Sequence, residues 1–578
     1  MTSKWTDAAL LAARGIGDPE ADALAERILT ARAGSGGVSR GGYNHLLDLA
    51  DVLVAHPELA LVASSLVRRG LGESGEVAAF FAPLEAPDWV DEKKLELASS
   101  LWRTDSILAI FVLYAASLPA CYLMKKGVPA LYQTEKLAEH KYVFQRIYET
   151  GLMLDSVLHQ GGLQVIQDHE PCADEVFAKV LNEADPGGQW EWRGHRLHRG
   201  ATESECVLDE HAVRSDFNAA RSQAKRYIWG GGFIAARKVR LLHASMRVML
   251  QNPDLMRPAA AVAPPSSFME ATAHRPTAWD EGDLGKPVNQ EDLAFTLLTF
   301  SYLIPKGMET WGRKVSKEQK EAFLHLWRVV GHVMGIRDDL MTDQWDEAAA
   351  LYEQILENPD LSGGSQPGTI LTAAVMDFLR AYLPDRLGLS KVAPAALIVD
   401  QLGPHWAQMI VPEDQYRAAR RLRVRIAVGL VKIGLRAYYW LSQHVLRHLP
   451  FVARGVAGRI ELASETLINS WRDSFRRKPF YIPSQATTWV VQRGVTPEYE
   501  ASLMQWRQKL FDTVTAALVS LILAGGAFGA GLVFFLLGLG VRRNIALGVS
   551  VIAFVLAESL LRLVLPSVAS QRPRIDDE

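Results

Sequence analysis

One short segment combines an imidazole with cations at helical spacing. His243 lies between Lys238 and Arg247, with Arg240 about one turn before it and Arg247 one turn after it. A neutral imidazole is a good iron ligand, and apolar side chains beside arginines would suit the macrocycle and the propionates of a haem. The segment predicts that His243 binds haem iron, with Arg240 and Arg247 also contacting the cofactor. The alternative is a hydrogen-bonded core histidine.

A second pair of polar residues has the same four-residue spacing. Arg146 and Thr150 fall on one face of a predicted helix. An arginine and a hydroxyl that face one cavity can hold a bound oxygen species or a carboxylate. The alternative is a surface arginine above a buried threonine.

An acidic run indicates a different chemistry. Asp338, Asp339 and Asp343 resemble the aspartate-rich magnesium motif of helical isoprenoid synthases, whose carboxylates bind Mg²⁺ and diphosphate. A second acidic motif on a facing helix is not evident, and an acidic loop that caps the next helix is the simpler interpretation. A non-catalytic helical membrane protein that has lost haem is a third possibility.

The elements that must position these residues are almost all helices. Apolar residues recur with helical spacing in the body of the chain, and Ser316 with Glu318 has the pattern of a helix start. The predicted helical segments are Trp89 to Leu131, Lys136 to Leu163, Glu291 to Ile304, Ser316 to Met334 and Asp346 to Leu356. A small hairpin is predicted at Gln189 to Leu197, and loops at Asp185 to Val213 and Asn252 to Thr277. The predicted fold class is all-α, a multi-helix haem-binding bundle.

Composition narrows the class of protein. With 578 residues the chain is too long for one hydrophobic core, and its net charge of −3 argues against bulk nucleic-acid binding. The three cysteines, Cys121, Cys172 and Cys206, form no Cys-x-x-Cys pair, so neither a thiolate zinc site nor a disulfide framework is expected. No signal peptide is recognisable at the start of the sequence.

The C-terminal region has the composition of a membrane hairpin. No charged residue occurs from Thr513 to Gly540, which exceeds the roughly 20 residues needed to cross a bilayer. Arg542 and Arg543 follow, and then a second apolar run from Ile545 to Pro566. The pattern predicts a transmembrane helical hairpin that anchors the protein, and two buried helices of a soluble core are the alternative.

Basic residues concentrate before this hairpin. The stretch from Arg417 to Arg436 alternates bases with Leu, Val and Ile. Positive charge next to membrane segments favours the main body on the cytoplasmic side. The stretch could lie against anionic lipid, or it could be a solvated helix face whose apolar stripe joins the core.

Five motifs in order resemble one oxygenase family, which contains the latex clearing proteins (rubber oxygenases) and the MpaB-type oxygenases. The resemblance covers roughly Pro87 to Leu402. Its motifs are Pro87-Asp88-Trp89-Val90-Asp91, the Arg146-x-x-x-Thr150 pair, Lys238-Val239-Arg240-Leu241-Leu242-His243, Asn289-Gln290-Glu291-Asp292-Leu293 and Trp327-Arg328-Val329-Val330-Gly331-His332.

The resemblance implies an all-helical protein with a b-type haem. It implies that His243 is the proximal iron ligand and that Arg146 and Thr150 lie on the distal side, where O2 binds. Thr296 or Thr299 is expected to line the same site. The implied reaction is oxidative cleavage of a carbon–carbon double bond in an isoprenoid chain.

The sequence departs from the family at one distal position. Latex clearing proteins carry a lysine just before the threonine, where this chain has Glu149. A lysine cap on the iron is therefore not expected. Exported rubber-degrading members of the family carry a signal sequence, whereas here none is recognisable and a membrane hairpin is predicted, so rubber particles are not the expected substrate. The expected partners are instead a hydrophobic or lipid-like small molecule and, through the hairpin, a membrane.

These observations predict five segments. They are an N-terminal helical segment (1–85), a catalytic domain (86–445), a basic linker region (446–510), the transmembrane hairpin (511–566) and a tail (567–578).

Overall fold

The computed structural model describes residues 5–30, 80–81, 83–134, 140–167, 190–192, 195–197, 226–252, 279–382, 391–444 and 497–560, and residues 564, 567, 568 and 571. These residues are mostly helical, as the sequence predicts. Cys172, Cys206, most of the two predicted loops and most of the predicted linker and tail lie outside them.

The helices are numbered here in chain order. They are α1 (Asp7–Ala13), α2 (Pro19–Thr30), α3 (Glu92–Val112), α4 (Leu118–Cys121), α5 (Val128–Thr134), α6 (His140–Leu158), α7 (Gly231–Gln251), α8 (Glu281–Leu284), α9 (Gln290–Ser301), α10 (Leu303–Thr310), α11 (Lys317–Val333), α12 (Trp345–Glu357), α13 (Gln366–Tyr382), α14 (Ala393–Leu402), α15 (Pro404–Ile410), α16 (Glu413–Ala419), α17 (Leu422–His444), α18 (Pro497–Leu536) and α19 (Gly540–Ser559). A π-helical turn, Leu113–Ser117, joins α3 to α4, and a short 3₁₀ helix, Asp338–Leu340, follows α11.

Two small sheets accompany the helices. The strands are β1 (Leu84–Glu85), β2 (Gln164–Gln167), β3 (Trp190–Trp192), β4 (His195–Leu197) and β5 (Arg226–Trp229). The antiparallel pair β3–β4 confirms the predicted hairpin. The other sheet has the order β1-β5-β2, and its central strand leads directly into α7.

Local sequence explains where the central helices begin. Ser316 caps α11, because its hydroxyl accepts a hydrogen bond from the Gln319 amide. The side-chain oxygen of Gln319 in turn accepts a hydrogen bond from the Ser316 amide, and the two bonds form a capping box. Asn289 caps α9 in the same way, through the amide of Asp292. The predicted helix starts near Ser316 and Glu291 are confirmed.

Helix α9 lies at the centre of the body. Ten of its residues are buried, on every side of the helix, and a helix buried all round belongs to a core rather than to a surface. It packs against α10, α11 and α12. Helix α7 packs against α2 on one side and α6 on another, so the three helices that carry predicted site residues, α6, α7 and α9, are held within the body.

The N-terminal helices join the same core. Trp5, Leu10 and Ala13 are buried among core residues, and the Trp5 indole donates a hydrogen bond to the carbonyl of Asp339 at 2.7 Å. The backbone amide of Gln290 donates to the carbonyl of Ile16, which connects this segment directly to the start of α9. The segment therefore contributes to the position of α9.

The C-terminal helices form a hairpin. Helices α18 and α19 pack together, and the Ser550 hydroxyl donates to the Ala524 carbonyl at 2.8 Å across their interface. Within the described ranges, one continuous helix, Gly540–Ala557, is long and apolar enough to cross a membrane. A bent pair, Glu92–Ser106 with Leu108–Cys121, passes the same test only when its two halves are taken together.

Candidate active site

A cavity of about 240 Å³ lies between α5, α6, α7 and α9. Its wall is mainly Leu, Val, Ile, Met and aromatic side chains, and among the described residues Asp292 is the one charged residue that lines it. Polar groups reach it from His243, Thr150 and Thr296. A largely apolar cavity with a few convergent polar groups is the usual form of a small-molecule site.

Helix α7 presents His243 to this cavity. Val239, Leu242 and Met246 lie on one side of His243 around the helix and line the cavity with it. At about 3.6 residues per turn, Arg240 and Arg247 fall on the other side of the histidine. His243 therefore lies at the border between an apolar face and an arginine face.

A glycine turn fixes the start of α7. Gly230 has φ +121°, and a β-carbon there would lie 2.4 Å from the carbonyl oxygen of Gly162. Only glycine suits this backbone conformation and this close approach. The turn sets the end of β5 and the start of α7 against the loop that follows α6.

Helix α6 supplies the next part of the wall. Ile147, Thr150 and Met153 line the cavity at three-residue spacing. The structure therefore brings the predicted residues Thr150 and His243 to one cavity from two helices. Arg146 lies on α6 as well, and its side chain is outside the described residues.

The two predicted threonines on α9 have different surroundings. Thr296 lines the cavity and Thr299 does not. The Thr299 hydroxyl donates to the Thr296 carbonyl at 2.8 Å and is fully buried beside Ser117 at 3.2 Å and Cys121 at 3.3 Å. Thr299 therefore connects α9 to the π-helical turn and α4.

Cys121, the one cysteine among the residues that the structure describes, lies at this cavity. Its side chain reaches the cavity, and burial raises the pKa of its thiol to about 11. Because the thiolate is the nucleophilic form, a thiol with so high a pKa is unreactive near neutral pH. Cys121 acts here as a small apolar wall residue.

The structure does not bring Arg240 and Arg247 to the cavity. Arg240 forms a two-pronged pair with Asp18, at 2.6 and 2.9 Å, and a further bond to Glu20 at 2.8 Å. Arg247 donates to Asp22 at 2.6 Å. Both arginines therefore tie α7 to the start of α2.

Arg247 also supports the cavity wall from behind. It donates to the carbonyl of Val288 at 2.7 Å, and Val288 itself lines the cavity. Val288 has φ +49°, a strained conformation for a β-branched residue. The bond from Arg247 helps to hold this strained residue in place.

A buried charge cluster lies at the start of α9. Arg14 donates to Glu291 at 2.5 Å and to Asp292 at 2.9 Å. Burial, together with the Asp292 carboxylate, raises the pKa of Glu291 to about 8. Burial opposes the charge on Arg14, but Asp292 and Glu291 outweigh it and raise the pKa of Arg14. One guanidinium neutralises one of the two acids, so Glu291 is the acid that keeps its proton near neutral pH.

These N-terminal partners were missed in the sequence. Asp18, Glu20 and Asp22 form an alternating acidic pattern just before and within α2, which by itself is typical of a solvated helix start. Arg14 gives no signal either. The buried carboxylate pairs become visible only when α2 is placed beside α7.

The acidic run that suggested a magnesium site is engaged in other contacts. The Asp91 amide donates to Nε2 of His325 at 2.9 Å, so Nδ1 of the ring carries the proton and faces Asp343 at 3.4 Å. This bond is the main reason that the pKa of Asp343 is lowered. Asp338 faces His332 at 3.5 Å. The described residues contain no group of three or more His, Cys, Asp or Glu side chains that could hold a metal ion.

Comparisons with known proteins match the central part of the chain. Residues 226–457 match the family model described as ER-bound oxygenase mpaB/B'/Rubber oxygenase, catalytic domain. The matched range contains the His243, Asn289–Leu293 and Trp327–His332 motifs, whereas the Arg146–Thr150 pair precedes it.

Two relatives illustrate the similarity. The chain is 25% identical over 238 residues to the rubber oxygenase of Streptomyces sp. (strain K30), which is 39% of this chain and 51% of that protein. The chain thus spans about half the length of the curated relative that it matches. A solved structure of latex clearing protein LCP in the closed state aligns with 77% of this chain and 91% of its own, at 17% identity and a TM-score of 0.42. The predicted family resemblance is confirmed, because residues 226–457 match the catalytic-domain model of the mpaB/rubber oxygenase family.

Proposed function

We propose that this protein is a haem b-dependent oxygenase that uses O2 on a hydrophobic, isoprenoid-like substrate, with cleavage of a carbon–carbon double bond as its reaction. One observation carries the proposal: the imidazole of His243 lines a largely apolar cavity together with Thr150 and Thr296. The oxygenase family of residues 226–457 supports the reaction class.

The donor set at the cavity fits a haem. A non-haem iron site needs several protein ligands, and the described residues offer no group of three. A porphyrin brings four nitrogens of its own, so one imidazole from the protein would be enough to hold the iron, and His243 would supply it. The haem, when bound, would supply the iron for oxygen chemistry.

The other predicted residues receive separate roles in this proposal. Thr150, with Arg146 from the same helix, would orient O2 and stabilise developing negative charge on the distal side. Thr296 would face the cofactor or substrate from α9. Arg240 and Arg247 would position α7 and Val288, because their guanidinium groups already bind Asp18 and Asp22.

The cavity wall supports an apolar substrate. Leu118, Leu131, Met153, Phe300 and Trp327 surround the space beside His243. Apolar walls exclude water and favour binding of a hydrocarbon chain by burial of its surface. No residue at the wall offers a cation to an anionic substrate, within the part of the chain that the structure describes.

We also propose that the hairpin is a membrane anchor and that the chain is divided into the segments predicted from the sequence. The α18–α19 hairpin would insert into a bilayer, with the catalytic domain (86–445) on the cytoplasmic side, where the basic residues before the hairpin would stay. The apolar helix Gly540–Ala557 supports insertion of the hairpin. A lipid-soluble substrate would then reach the enzyme from the membrane.

An absorption spectrum of the full chain tests the proposal. Protein purified from haem-supplied cells should show a Soret band that shifts on reduction with dithionite. His243→Ala should remove most of the bound haem and abolish oxygen consumption, whereas His332→Ala, a control histidine outside the cavity wall, should keep the haem. Thr150→Val should keep the haem and lower the rate of oxygen consumption about 100- to 1,000-fold.

Three outcomes would contradict the proposal. Full haem content in the His243→Ala variant would reject the ligand assignment. A colourless protein that binds Mg²⁺ and a prenyl diphosphate would reject the oxygenase and favour an isoprenoid synthase. A colourless protein that binds neither would indicate a non-catalytic role.

A further inference from the structure

Helix α17 carries a stripe of exposed apolar side chains. Leu422, Ile426, Leu430, Ile433 and Trp440 recur at three-, four- and seven-residue intervals, which places them on one side of the helix. Their exposed fractions are 70%, 54%, 63%, 63% and 44%. A continuous stripe of this kind on a soluble surface marks an interaction site.

The opposite side of α17 is the one that packs on the body. Val424 is buried, and Leu435 packs against the main core. Lys432 donates to Asp400 of α14 at 3.0 Å, which fixes the rotation of the helix. The apolar stripe is therefore not the core-facing side of the helix.

Cations flank the stripe. Arg423 borders it on one side, and Arg425 and Arg436 border it on the other, all of them exposed. The helix Leu422–His444 contains no Asp or Glu. An apolar stripe flanked by arginines on both sides is the pattern of a helix that lies in the plane of an anionic membrane surface.

The location of the stripe favours lipid over other occupants. In the described part of the chain, exposed large hydrophobic side chains outside residues 422–564 are limited to Leu11 and Tyr132. Helix α17 packs directly on α18, so it lies beside the hairpin that contains Gly540–Ala557. Among the described residues, exposed apolar surface is thus concentrated in the C-terminal helices, mainly α17, α18 and α19.

We infer that α17 is an interfacial helix that binds the surface of a bilayer containing anionic phospholipid. Leu422, Ile426, Leu430 and Ile433 enter the boundary between headgroups and acyl chains, and the flanking arginines contact phosphate. The inference is independent of haem. It provides a second, reversible membrane contact beside the proposed anchor, and it fixes how the catalytic domain faces the bilayer.

Photo-crosslinking in the full chain tests this inference. Benzoylphenylalanine replaces Leu430 or Ile433, one position per variant, and the protein is reconstituted in phosphatidylcholine vesicles with or without phosphatidylglycerol. The same substitution at Leu11 is the control for an exposed apolar residue elsewhere, and at Ile552 it reports on the hairpin. Circular dichroism verifies that each variant is folded.

Phospholipid adducts at Leu430 and Ile433, and not at Leu11, are the expected result. Adducts to other parts of the chain or to a second copy would show that protein covers the stripe and would overturn the inference. Lipid adducts at Ile552 alone would retain the anchor and reject the interfacial helix, whereas adducts at Leu430 and Ile433 alone would do the reverse.

A charge variant tests the role of the arginines. The triple variant Arg423→Gln, Arg425→Gln and Arg436→Gln should lower the adduct yield at Leu430 about tenfold on vesicles with phosphatidylglycerol and leave the yield on phosphatidylcholine unchanged. A control triple variant, Arg103→Gln, Lys314→Gln and Lys317→Gln, should leave both yields unchanged. Equal losses on both kinds of vesicle would reject recognition of anionic lipid.

Discussion

The two faces of helix α7 have opposite chemistry. One face carries Val239 and Met246 to the cavity and leaves space beside His243. The other face carries Arg240 and Arg247, buried and paired with carboxylates from the N-terminal segment. The arginines next to the histidine therefore hold the helix in place, while the cavity wall is built mainly from apolar side chains, with the imidazole and two threonine hydroxyls among them.

Substitution of an arginine on the second face should cause the largest loss in the free energy of unfolding. Arg240→Ala leaves Asp18 buried and without its main partner, since the two side chains are only 8% and 5% exposed. A broken buried pair of this kind costs about 3–5 kcal/mol of the free energy of unfolding. Chemical denaturation of the full chain measures the loss.

A matched control separates burial from charge. Arg337→Ala removes a pair with Asp339 whose side chains are 46% and 60% exposed, and it should cost about 1 kcal/mol or less. Similar losses for both variants would show that the contact between α2 and α7 is not a buried interaction. The double variant Arg240→Met with Asp18→Leu should recover part of the stability.

The cluster at the start of α9 should make stability depend on pH. Burial raises the pKa of Glu291 from 4.5 to about 8, so the folded state holds a proton that the unfolded state releases. This contribution is complete below pH 4.5 and is lost as the pH rises to about 8, with a slope of at most about 1.4 kcal/mol per pH unit.

Glu291→Gln isolates that contribution. The glutamine has no proton to lose, so the difference in unfolding free energy between wild type and variant should change in favour of the variant from pH 5 to pH 8. Denaturation midpoints across that range provide the measurement. Parallel pH profiles would mean that Glu291 does not titrate in this window.

The smallest effect should distinguish two neighbouring hydroxyls. Thr299→Val removes the bonds to Ser117, Cys121 and the Thr296 carbonyl and should cost about 1–2 kcal/mol of stability, with little change in substrate affinity. Thr296→Val should change the KM for the hydrophobic substrate and leave stability nearly unchanged. The reverse pattern would place Thr299 at the cavity and Thr296 behind it.

Local patterns were sufficient to predict several elements. Ser316 caps a helix where its side chain suggests it, and two antiparallel strands form within the predicted hairpin, Gln189 to Leu197. Such features depend on neighbours a few residues apart, so the sequence contains the whole interaction. The three-stranded sheet was missed because its strands are short and distant, and β1 and β5 are paired across about 140 residues.

The helical class, the resemblance to an oxygenase family, the selection of His243 as a candidate ligand and the apolar C-terminal region all follow from the residues alone. Helical periodicity, motif order and residue type can each be read from the sequence. Packing shows in addition that Arg240 and Arg247 bind carboxylates of the N-terminal segment, that Thr296 rather than Thr299 lines the cavity, and that the apolar stripe of α17 stays exposed. A helical sequence specifies which residues share a face, but what that face meets depends on packing between distant segments.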